Sequence, residues 1–242
     1  MNFYVYCLSD EVTGEMIESV AGVSGAPRLI QYGGITAVVS PFEDESAPVT
    51  RENVFAHERV IGHVLAHTTP LPFRFGTVVD EARLEDYVNS QRERLEAQLE
   101  RVRGCVEMSV KVIWSVAGVK SDAPGRDTHA DAPVDESGAR PAGRGTAFLM
   151  EKRRQILGDE TLKARAEAVT AWLDGHLGEV ARETQVVVRP VEALVVAAAH
   201  LVERARLEEY QERLRAARSQ RADLRFLTSG PWPPYSFSQT NS

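Results

Sequence analysis

The chain has 242 residues, of which 43 % are hydrophobic, and a formal net charge of −7 at neutral pH. That length supports one large core or two ordinary ones, and the acidic balance argues against nucleic-acid binding, which needs a basic patch or domain. There is no apolar run of the roughly 18 to 20 residues that span a bilayer and no signal-type N-terminus, so a cytoplasmic protein without a transmembrane segment is expected.

Phe3-Tyr4-Val5-Tyr6-Cys7-Leu8 is apolar on both faces, as a strand in the middle of a covered sheet should be. Residues 13 to 22 predict a short helix. Gly33-Gly34 then separates residues 29 to 32 from residues 35 to 39, a hairpin signal. Thr50 is placed to cap a helix over residues 51 to 67, with Val54, Ile61, Val64 and Leu65 on its apolar side. A second helix is predicted over residues 81 to 103, where Leu84, Val88, Leu95, Leu99 and Val102 recur at helical spacing. Met108, Val110, Val112 and Trp114 alternate with polar residues and predict a half-buried strand.

This order predicts an α+β architecture whose first domain, residues 1–117, is ferredoxin-like: an antiparallel sheet covered by helices. Cys7 and Cys105, the only cysteines, would then be near neighbours on adjacent strands and reduced. Two cysteines exclude a disulfide scaffold and a cysteine-rich metal site. Residues 118–145 hold no Leu, Ile, Met or aromatic residue and many Gly, Pro, Asp and Ala, which predicts a flexible linker. Residues 146–242 predict a second, smaller α+β sandwich. It starts with a long helix to about residue 177 and continues with strands at 184–189 and 192–202, a helix at 204–218 and a last strand at 223–228.

Catalytic signatures are absent: there is no G-x-S-x-G elbow, phosphate loop, dinucleotide fingerprint or paired-cysteine motif. His63 and His67 have the i, i+4 spacing of a metal grip, but no acidic residue follows in a protease-type pattern and His57 points elsewhere on the helix. No catalytic residue, metal or cofactor is therefore expected. Two segments stand out. In Pro70-Leu71-Pro72-Phe73-Arg74-Phe75-Gly76-Thr77 the prolines oppose helix; extended backbone would put Phe73 and Phe75 on one side and Arg74 on the other, available for a carboxylate or phosphate. Gly230-Pro231-Trp232-Pro233-Pro234-Tyr235-Ser236-Phe237 reads as a stiff, extended rod carrying rings, a strap on the last sheet or a docking surface. Trp232 is expected to be buried against the second domain, with Tyr235 and Phe237 reaching outward.

These two segments, with the opening Tyr4-Val5-Tyr6 and the strand Glu107-Met108-Ser109-Val110-Lys111-Val112, resemble the gas vesicle protein L/F family in order and spacing. The resemblance implies a two-domain fold with a ferredoxin-like first half. It also implies a non-enzymatic accessory or minor structural protein, which contacts the hydrophobic major shell protein, and other accessory proteins, during vesicle assembly. Phe73, Arg74, Phe75, Trp232, Tyr235 and Phe237 are the candidate contact or bracing residues. The alternative is a small-molecule enzyme or sensor with a pocket between the domains, using Arg74 and a histidine.

Overall fold

The computed structural model describes residues 1–114, 160, 163–187 and 194–238. The predicted linker at 118–145 lies outside the described residues, as does nearly all of the predicted helix before residue 163.

The first sheet is antiparallel, in the order β2-β3-β1-β4. It is built from β1 (Asn2–Ser9), β2 (Arg28–Tyr32), β3 (Ile35–Phe42) and β4 (Leu71–Pro72), with β5 (Val78–Asp80) also paired to β1. The Gly33-Gly34 hairpin forms as expected, pairing Tyr32 with Ile35. Both faces of β1 are covered, which explains its unbroken apolar run. On one face Tyr4, Tyr6 and Cys7 meet Val60, Ile61 and Val64 of α1 (Arg51–His67). Thr50 caps α1, its side chain accepting from the Asn53 N–H at 3.2 Å. On the other face Phe3, Val5 and Leu8 meet α2 (Glu81–Ser90) and α3 (Arg92–Val102). A bulge between Val5 and Cys7 shifts the alternation between faces.

The single helix predicted over residues 81 to 103 is in fact two, broken at Gln91. Arg92 fastens the corner, donating to the Tyr32 carbonyl at 2.8 Å and to Asn89 Oδ1 at 2.7 Å. Spacing alone could not show this, because the apolar residues keep one helical period across the break. Residues 13 to 22 form only a single 3-10 turn, Gly14–Met16.

The largest departure concerns β6 (Cys105–Trp114). It does not complete the first sheet but runs in the second, whose order is β7-β8-β6-β9, where it pairs with β8 (Leu194–Glu203) and β9 (Leu224–Trp232). The place beside β1 is taken by β4 and β5, two- and three-residue strands too short to give a period-two signal. Cys7 and Cys105 are consequently not on adjacent strands; both are buried free thiols.

The outer strand β7 (Glu183–Val187) completes the second sheet. One face of that sheet is covered by α4 (163–177), through Ala166, Val169, Leu173 and Leu177, and by α5 (Leu207–Gln220), through Tyr210 and Leu214. At one end the two sheets share a core, since Cys105, Leu201 and Phe237 join the cluster of Phe3, Val5 and Ile35. Polar ties reinforce the junction. Arg204 donates to the Leu65 and Thr68 carbonyls at the α1 C-terminus (2.5 and 3.2 Å), the Thr69 hydroxyl donates to the Cys105 carbonyl (2.9 Å), and Arg101 pairs with Glu183.

Candidate functional site

The 70–77 block is built onto β1. Leu71 pairs with Leu8 and Pro72 with Cys7, and the Phe73 N–H donates to the Tyr6 carbonyl at 2.8 Å. Past Phe73 the chain turns: the Thr77 hydroxyl donates to the Arg74 carbonyl at 2.7 Å, and Gly76 takes a φ of 85°, which favours glycine. Because of this turn Phe73 and Phe75 do not share a side, contrary to the extended reading. Phe73 packs on the core between β1 and α2–α3, edge-on to Tyr87 with centroids 6.0 Å apart. Phe75 enters the opposite core, 6.2 Å from the Tyr4 ring and 5.7 Å from His57. Arg74 is exposed.

Behind Phe75 lies a buried polar and aromatic cluster. The Tyr4 hydroxyl accepts from the Gly76 N–H at 3.1 Å and lies 2.9 Å from His57 Nδ1. The imidazole is neutral, and its tautomer decides whether Nδ1 or the Tyr4 hydroxyl donates this bond. Burial holds His57 in this form, lowering its pKa to about 4 against a smaller opposing effect from the Phe73 backbone, and pushes Tyr4 up to about 12. His63 and His67 lie tilted to one another near the α1 C-terminus, rings 5.4 Å apart, with His67 Nδ1 3.0 Å from the His63 carbonyl. Among the described residues no group of three or more His, Cys, Asp or Glu side chains is placed to hold a metal ion.

The C-terminal segment is not a straight rod. Through Trp232 it is part of β9, an edge strand, where the missing donor of Pro231 is tolerated. Pro233 and Pro234 then start a helical turn, α6 (Tyr235–Ser238), because proline suits a first helical position, where its missing N–H has no partner to lose. This turn sends the last rings into the first half of the chain. Phe237 is 1 % exposed within the shared core, and the Tyr235 hydroxyl donates to Glu58 on α1 at 3.1 Å. Ser236 donates its N–H (2.7 Å) and its hydroxyl (2.8 Å) to the buried Glu107 carboxylate of β6. Trp232, by contrast, is 46 % exposed. The expected roles are reversed: Phe237 is the anchor and Trp232 faces solvent.

The 70–77 block lines a cleft of about 480 Å³, which Ser238, just past the C-terminal segment, also borders. Leu8, Leu71, Pro72 and Leu95 supply apolar lining; Arg74, Tyr87, Gln91 and Arg94 add polar groups, and Ser238 closes one end. Of the sequence candidates, Phe73 and Arg74 line it; Phe237 shares a core with its Leu8, Leu71 and Leu95, while Phe75 and Tyr235 pack in the core on the other face of β1. Among the described residues its lining includes no histidine, so Arg74 does not share this cleft with His57, His63 or His67 as the enzyme or sensor alternative requires. The contribution of α2 and α3 was not legible, since Tyr87, Gln91 and Arg94 read as ordinary helix surface.

Residues 2–239 match the family model described as gas vesicle synthesis protein GvpL/GvpF. The chain belongs to that family. Among GvpL/GvpF relatives it is 30 % identical to gas vesicle protein L of a Streptomyces species, over 97 % of this chain and 92 % of that protein. It is 27 % identical to gas vesicle protein L2 of Halobacterium salinarum, over 97 % of this chain and 90 % of that protein. It is also 26 % identical to gas vesicle protein F2 of the same organism, over 98 % and 91 %. The fold is that of crystallised GvpF proteins: the Anabaena structure superposes with a TM-score of 0.77 at 20 % identity, covering 100 % of this chain and 97 % of that one. The Microcystis aeruginosa structure gives 0.77 at 21 % identity, covering 99 % of each chain. This GvpL/GvpF protein is therefore a mixed α+β protein with antiparallel sheets and a role in gas vesicles. Among its described residues no helix is long and apolar enough to cross a membrane.

Proposed function

We propose that this protein is a non-enzymatic accessory or minor structural protein that acts in vesicle assembly by contacting the hydrophobic major shell protein, together with other accessory proteins, in the cytoplasm. The observation that carries the reading is the division of labour between its two family-like segments. They bury Phe75 on the α1 face of the first sheet and Phe237 in the core that the two sheets share, yet leave Trp232 and the Arg74 cleft at the surface. A large exposed ring on a fixed edge strand offers an apolar shell subunit a contact that costs little conformational entropy.

The experiment is crosslinking of the full-length protein to shell subunits in vesicle-forming cells, with Trp232→Ala as the comparison. The expected result is a specific crosslink, weakened in the variant, with vesicle yield falling in parallel while the protein stays folded. Full-length protein that never crosslinks to the shell subunit, nor pulls it down, would overturn the reading.

A further inference from the structure

We infer that His63 and His67 form an exchangeable binding site for a divalent transition metal of the copper, nickel and zinc class. The site goes beyond the assembly role and is independent of it.

The pair occupies the last turns of α1, where i, i+4 spacing sets the two imidazoles on one side of the helix. Its geometry is that of a chelate. A metal about 2.0–2.1 Å from one nitrogen of each ring, with a tetrahedral angle between the two bonds, holds the ring centroids about 5.2 Å apart. The centroids of His63 and His67 are 5.4 Å apart, so the rings span a metal without unwinding of the helix. His67 is exposed and His63 partly so, which opens the pair to ions from solvent.

The tautomer of His67 suits the same role. A carbonyl oxygen only accepts, so His67 Nδ1, 3.0 Å from the His63 carbonyl, is the donor of that bond. In the neutral ring the lone pair then sits on Nε2, which makes no hydrogen bond among the described residues. One nitrogen anchored on a carbonyl with the other left open is the arrangement that orients metal-ligating histidines.

The electrostatic setting decides the class of metal. The helix C-terminus favours a cation, but Arg204, which donates to the Leu65 and Thr68 carbonyls there, and Arg59, one turn before His63, oppose it. Affinity therefore comes from the imidazole lone pairs rather than from charge, which selects copper, nickel and zinc over calcium and magnesium. A structural zinc site takes four protein ligands; with no third His, Cys, Asp or Glu in place among the described residues, the remaining positions go to water and the metal exchanges.

The test is titration of the full-length protein, first stripped of metal with a chelator, with copper(II) chloride alone. Electron paramagnetic resonance of the wild type should show copper coupled to two imidazole nitrogens, and calorimetry should rank copper above nickel and zinc, with no heat from magnesium. His63→Asn and His67→Asn should each weaken copper binding by about tenfold or more, while their metal-free circular dichroism and Tm stay those of the wild type. His176→Asn, at a histidine of α4 whose ring is bonded to Trp172 and Gln220, should lose nothing. Equal copper affinity in the wild type and both variants, a wild-type spectrum with only one coupled nitrogen, or no binding at about 1 mM copper would each overturn the site.

Discussion

Replacing Phe237 by alanine should destabilise the whole protein, although the residue lies far from the first sheet in sequence. An aromatic ring buries about 150–250 Å², and Phe237 is 1 % exposed. At about 25 cal/mol per Å², less the share an alanine keeps, the transfer loss is about 3 kcal/mol, and incomplete closure of the cavity raises it to about 3–5 kcal/mol. For a protein of this size that corresponds to a fall in Tm of about 10 °C. Trp232→Ala is the comparison: the larger ring is 46 % exposed on an edge strand, so about 1 kcal/mol is expected. Urea unfolding followed by far-ultraviolet circular dichroism, on both variants and the wild type, measures the two costs. A Phe237→Ala protein as stable as the wild type, or a Trp232→Ala protein that loses more, would refute the assignment of anchor and surface.

The Glu107 carboxylate and the Ser236 hydroxyl should be coupled, because a charge-assisted bond joins them in a buried setting; a double-mutant cycle with Glu107→Gln and Ser236→Ala, which leaves the Ser236 N–H in place, should give about 1 kcal/mol, and a value near zero would contradict the geometry. Gly230→Ala should cost about 2–3 kcal/mol in the same unfolding assay, since its φ is 122° and a Cβ there would sit 2.7 Å from the Glu107 carbonyl; an unchanged midpoint would mean that the strand end is loose. His57 and His200, the latter 2.9 Å from the Tyr210 hydroxyl, both have pKa values lowered by burial to about 4. In the unfolded chain they take up protons near pH 6.5, so the folded protein loses stability as pH falls from about 6.5 to 4, by up to about 3 kcal/mol for each histidine. His200→Gln should flatten that slope by about one proton, and ring resonances that titrate near pH 6.5 would disprove the buried neutral form.

The α+β class, both β-hairpin partners, the Thr50 cap and the strand at Met108 were legible because each leaves a local periodic or capping signal. What could not be read was pairing between distant segments. The alternation of β6 shows one buried face but not which sheet it joins, and β4 is too short to announce that it fills the place beside β1. The candidate site failed in the same way. Phe73 and Phe75 were expected on one side because Gly76 gives no warning of how tightly the chain turns, and Glu107 read as the solvent-facing residue of an alternating strand. It is instead buried, because Ser236, far along the chain, returns to meet it. Trp232 was expected to be buried, yet burial followed the turn that Pro233 and Pro234 begin.

The placement of Phe237 also orders events during synthesis. Phe3, Val5 and Ile35 leave the ribosome well before Phe237, but the core they line closes only when that ring, about 200 residues further along the chain, arrives. Until then the nascent chain holds an unfilled apolar seat next to Glu107, whose carboxylate lacks the Ser236 hydrogen bonds it accepts in the finished fold. A chain cut short before that point carries an open core and an unsatisfied charge, the signs by which cellular quality control distinguishes unfinished molecules from complete ones.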